Sequence, residues 1–104
     1  MGQGANDSEA GQPLTIADFA ARMGQTFDVE TGGASLRLVL AEVGALPHSP
    51  RVGGSFRLEF VAHAAPALPQ GTYAVSCSGL RHEIFLVPLG PNPLGDRRYE
   101  AIFF

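Results

Sequence analysis

A chain of 104 residues with 45% hydrophobic and 16% charged side chains has room for one domain, and area scaling gives it roughly 10,000 Å² to bury on folding, enough for a core without disulfides or metal. Seven arginines, no lysine and a net charge of −3 exclude the dense positive stripe that neutralises nucleic-acid phosphates, and leave little repulsion to oppose self-association. The single Cys77 excludes an intramolecular disulfide, and no run reaches the roughly 18 apolar residues of a membrane-spanning helix.

Residues 1–12 are Gly, Gln, Asn, Asp, Ser and Ala in the main, too polar to bury, and read as a flexible tail before a single domain over 13–104. They lack the basic and apolar regions of a signal peptide, so synthesis in the cytoplasm is expected, with release as part of a larger assembly left open. Thr15 is a good N-cap, and Asp18 three residues on places a carboxylate at the free N–H groups, as in a capping box. Leu14 and Phe19 occupy the staple positions. A helix is predicted over Ile16–Met23, ending at Gly24, with Ile16, Phe19, Ala20 and Met23 on one stripe. Eight residues do not hold a helix in water, so it is expected to plug one end of a barrel.

Period two then takes over. Phe27 and Val29 alternate within Thr26–Glu30, Gly32-Gly33 turns the chain, and Leu36, Leu38 and Leu40 alternate before a phase slip at Glu42-Val43 that predicts a β-bulge. Residues 44–54 read as a loop. Phe56, Leu58 and Phe60 mark the next strand, residues 64–71 a second loop, and Tyr73, Val75 and Cys77 the fourth strand, with Cys77 as a small buried hydrophobe. Ser78-Gly79 reads as a hairpin turn into His82–Leu89; residues 90–96 form a third loop and Arg97–Phe103 the last strand. The fold expected is all-β: a small antiparallel six-stranded barrel or sandwich, strung as a meander, with one short N-terminal helix.

Two strands depart from alternation. Ile84–Leu89 and Ala101–Phe104 are apolar on both faces, which a half-solvated antiparallel strand should not be. Either the helix or a loop covers their outer face, or a second chain does. The candidate interaction residues are therefore Phe85, Val87, Ile102 and Phe104.

Chemistry is hard to find. His48, His63 and His82 have no second ligand at i+2, i+3 or i+4, so no metal site is expected. No nucleophile elbow or Cys-His-Asn pattern is present, and Gly32-Gly33 and Gly53-Gly54 match neither a P-loop nor a dinucleotide fingerprint. Glu59, Glu83 and Glu100 read as solvent-facing ladder residues, paired with Arg57, Arg81 or Arg98. No cofactor is implied and no enzyme is expected.

The segments Leu14-Thr15 with Asp18-Phe19, Leu68-Pro69-Gln70-Gly71-Thr72-Tyr73, Ile84-Phe85-Leu86-Val87-Pro88 with Gly90-Pro91, and Arg98-Tyr99-Glu100-Ala101-Ile102-Phe103 together resemble a bacterial family of domains of unknown function, each on the order of a hundred residues long. The resemblance covers residues 13–104; His63-Ala64-Ala65 and Leu94-Gly95 depart from it in variable loops. Members are often encoded near tail-collar proteins of the phage-tail or microcystin-dependent type, and the resemblance implies an accessory to a tail-like or fibre-like assembly, with no catalytic residues to carry over. The function expected is a non-enzymatic structural or interaction module that self-associates or docks on such a protein. The alternative is a barrel that takes a small apolar ligand among Phe56, Phe60 and Tyr73.

Overall fold

Leu14 leads the chain into a helix, α1 (Ile16–Ala20), that is too short to stand by itself. The computed structural model describes residues 14–33, 35–48, 50–51, 54–63 and 67–104; the polar tail expected over residues 1–12 lies outside them. At the helix start the Thr15 N–H donates to Asp18 Oδ2 at 2.8 Å and the Asp18 N–H donates to the Thr15 carbonyl at 3.1 Å, so the capping exchange runs through the Asp18 carboxylate. The helix stops three residues earlier than its apolar spacing predicts. Arg22 and Gln25 donate to carbonyls three residues back, and this tighter winding turns Ala20 and Met23 out to solvent. Gly24, at φ +77°, then passes its N–H to the Leu40 carbonyl and hands the chain to the sheet.

Six strands follow: β1 (Thr26–Glu30), β2 (Ser35–Leu46), β3 (Ser55–Ala62), β4 (Gly71–Cys77), β5 (Leu80–Leu89) and β6 (Arg97–Phe103). They close into a barrel in the order β1-β2-β3-β6-β5-β4, antiparallel at every seam. This corrects the simple meander. Two three-stranded meanders, β1–β3 and β4–β6, meet at the β3–β6 and β1–β4 seams, and the β3–β4 connection spans the barrel rather than linking neighbours. Among the described strands closure leaves no edge to recruit another chain.

β2 is longer than its punctuation suggested, because Gly44 still pairs with Arg57 and only Pro47, which has no N–H to give, follows the last paired residue, Leu46. The bulge falls between Leu40 and Glu42, a residue or so before the expected place, and switches the inward positions from Leu38 and Leu40 to Val43. The β4–β5 turn is a two-residue hairpin in which Ser78 (φ +47°) and Gly79 (φ +85°) both take the left-handed conformation that matches strand twist.

Inward residues fill the barrel. Phe19 reaches in from α1 and lies 6.3 Å from the Phe27 ring, 5.7 Å from Phe56 and 5.3 Å from Phe103, which confirms the helix as a plug. Phe56 and Phe103 stack at 4.5 Å, and Phe27 meets Phe60 edge-on at 5.3 Å. Leu68 closes the other end: it is buried, and its N–H donates to the Tyr99 hydroxyl at 2.9 Å. Arg22 pins the helix to the β4–β5 hairpin through the Cys77 and Ser78 carbonyls, at 3.2 and 3.0 Å. Cys77 is a buried thiol against Gln25, as its strand phase predicts.

Candidate interaction surface

Alternation along β5 turns Ile84 and Leu86 inward and Phe85, Val87 and Leu89 outward; along β6 it turns Tyr99, Ala101 and Phe103 inward and Arg98, Glu100 and Ile102 outward. The ladder sets Val87 opposite Glu100 and Leu89 opposite Arg98. Phe85, Val87 and Ile102 thus share the outer face, as their positions in the sequence predict, and each is half-buried there rather than open. Phe104, just past β6, is 59% exposed. Among the described residues the helix packs on β2 and inside the barrel.

The neighbouring outer face is charged. Glu59 on β3 stands directly opposite Glu100 on β6, an arrangement that repels by itself. Two diagonal arginines resolve it. Arg57 donates to Glu100 at 2.8 Å, to Glu59 at 3.2 Å and to Glu42 at 3.2 Å, while Arg98 donates to Glu59 at 3.1 Å and to the Gly90 carbonyl at 2.8 Å. Glu59 is consequently 8% exposed, not the solvent-facing residue that alternation suggested: the guanidinium groups of the two arginines close on its carboxylate. Partial burial desolvates Arg57 and acts to lower its pKa, but its hydrogen bonds to Glu100 and Glu59 outweigh this and the pKa is raised. Glu83 remains exposed, and Arg81 pairs with Glu30 rather than with a glutamate of its own seam. The network ties β2, β3 and β6 together, and beside it the outward apolar residues are Val39 and Val61, paired across β2 and β3, and those of β5 with Ile102 and Phe104.

Phe56 and Phe60, candidates for lining a ligand cavity, are fully buried and occupied with other rings. Tyr73 lies partly exposed with its ring against Gly71 and its hydroxyl donating to the Pro69 carbonyl at 2.6 Å, so the three do not enclose a common space. Two clefts are defined by described residues: one of about 350 Å³ at the β1–β2 turn, open to solvent, and one of about 80 Å³ beside the β5–β6 loop. Among the described residues no three His, Cys, Asp or Glu side chains stand together as a metal-ligand set. His63 faces Asp96 at 3.3 Å; His82 sits on β5 opposite Val75, and His48 is exposed.

Sequence reasoning missed one feature. Leu94, in the loop between β5 and β6, is 86% exposed. Its signal was an aliphatic residue between Pro93 and Gly95, where turn chemistry asks for polar side chains.

Among the described residues no helix is long and apolar enough to cross a membrane. No curated protein and no solved structure matches the chain significantly. A family model described as a domain of unknown function, DUF6916, matches residues 14–103. With more than four-fifths of the chain matched, the protein belongs to the DUF6916 family of domains of unknown function.

Proposed function

We propose that this barrel is a non-enzymatic interaction module that self-associates or docks on an assembly protein through the outer face of β5 and β6. The observation that carries the reading is the apolar outer stripe of Phe85, Val87 and Ile102, continued by the exposed ring of Phe104, beside a β3–β6 seam dressed with ion pairs. A filled aromatic interior supports it, because the surface is then where recognition has to occur. The resemblance noted in the sequence directs the choice of partner to tail-collar or fibre proteins. A stable complex of this kind buries more than about 1,000 Å².

The test is a pull-down of a tagged copy expressed at native level in its own host, with mass spectrometry of the co-purifying proteins, beside Phe85→Asp and Phe104→Asp. Recovery of a tail-collar or fibre protein, or of untagged copies of the chain, that is lost in folded variants is the expected result. Recovery of the same partners by both variants removes this surface from the account.

A further inference from the structure

The loop that carries Leu94 is built, not loose. Asn92 Oδ1 accepts from the N–H groups of Leu94 and Asp96, each at 2.9 Å. The Asn92 N–H donates to the Asp96 carbonyl at 3.0 Å, the Gly95 N–H to the Asn92 carbonyl at 2.8 Å, and Asn92 Nδ2 to Asp96 Oδ2 at 3.2 Å. His63 holds the other carboxylate oxygen of Asp96, and Pro91 and Pro93 fix two further backbone dihedrals. A single exposed leucine is ordinary on a protein surface. This one stands at the tip of a loop whose ordering is already complete, so little entropy is lost when it docks.

Beside the same loop lies the groove of about 80 Å³, lined by Ala67, Pro88, Leu89, Pro91 and Tyr99 with Arg97 and Arg98 alongside. A buried water needs roughly 10–15 Å³ by this kind of measure, so the groove has room for the four carbons of a leucine side chain. Leu94 does not fill its own groove, being 86% exposed. Knob and groove therefore sit side by side and unmatched on one chain, which is the arrangement a two-fold pair satisfies twice: each copy gives a knob and receives one. Leu89 belongs both to the groove and to the outer stripe of β5, so such a contact is continuous with the surface already described.

We propose that the occupant of this groove is Leu94 of a second copy of the chain, in a symmetric pair joined through the β5–β6 loops. The proposal rests on the reading of the barrel as a self-associating module and names the contact. Two knobs bury less area than a permanent interface does, so the pair forms by concentration-dependent association.

Sedimentation velocity of the whole chain across a concentration series tests it. Leu94→Ser removes both knobs and weakens dimerisation on the order of a hundredfold, taking about 1.5 kcal/mol for each buried leucine. Ala67→Arg, which fills the groove at an exposed position, does the same. Because each variant keeps the half that the other lacks, their mixture restores one contact and dimerises more tightly than either does alone. Far-UV circular dichroism checks that both variants stay folded. A dimer untouched by Leu94→Ser but dissolved by Phe104→Asp overturns the knob and leaves the interaction module standing. A wild-type chain that stays monomeric at every concentration overturns the knob and the self-association on which it rests.

Discussion

Replacing Phe19 by alanine asks whether α1 is a structural plug. The side chain is fully buried and touches three other rings, so the substitution empties the end of the barrel rather than trimming its surface. A buried aromatic removes about 150 Å² from water, which at about 25 cal/mol per Å² is close to 4 kcal/mol, within the 3–5 kcal/mol typical of Phe→Ala in cores. A domain of this size has roughly 5–15 kcal/mol to lose. The melting temperature then falls by roughly 20 °C, taking about 5 °C per kcal/mol. Urea unfolding followed by circular dichroism measures it, since the chain has no tryptophan. Met23→Ser is the control: Met23 is on the stripe that the sequence predicts but is 47% exposed, and its replacement is expected to change stability by less than about 0.5 kcal/mol. A Phe19→Ala loss below about 1 kcal/mol would refute the plug and mean that the barrel closes without its helix.

Tyr99→Phe leaves the buried N–H of Leu68 without its acceptor and costs about 1–3 kcal/mol, seen as faster hydrogen exchange at Leu68; unchanged exchange would dissociate Leu68 from barrel closure. Glu59→Ala strips both Arg57 and Arg98 of a carboxylate and costs about 1–2 kcal/mol after screening, whereas Arg81→Ala, which breaks an exposed pair, costs less than about 0.5 kcal/mol; equal losses would contradict the burial argument. The Asp96 pKa is lowered by the Asn92 amide first and by His63 second, so the stabilisation it supplies is present above the ordinary carboxylate pKa and is lost as pH falls through its lowered value. Asn92→Ala accordingly moves the Asp96 titration, followed by carboxyl NMR, back toward the ordinary range; no movement would mean that the loop is not ordered as described.

The strands were legible because one face of each is buried, and alternation reports that directly: Phe27 and Val29, Phe56, Leu58 and Phe60, and Val75 and Cys77 all point inward as their spacing requires. Strand order was not legible, because alternation marks which face of β3 is buried and says nothing of whether β4 or β6 lies beside it. The helix end was misread because Gly24 does take the left-handed conformation of a helix stop, but after a tightened turn. Glu59 was misread for a related reason. Outward orientation and exposure are different properties once two guanidinium groups close on the same carboxylate. Of the candidate site, orientation was readable for Phe85, Val87 and Ile102, and the exposure of Phe104 agrees with its place at the end of the last strand. Leu94 was readable only in part: its place between Pro93 and Gly95 in a loop marks it, but the Asn92 turn that orders the loop around it is a local geometry that composition does not encode.

The most direct test of the interaction module is the native size of the chain in an undiluted lysate of its host, read by size exclusion with immunodetection. The account predicts that the wild-type chain elutes well above the 10.9 kDa of a single copy, and that a folded variant carrying both Phe85→Asp and Phe104→Asp elutes as that single copy. A wild-type chain eluting as one copy, or a double variant that remains assembled, would contradict it.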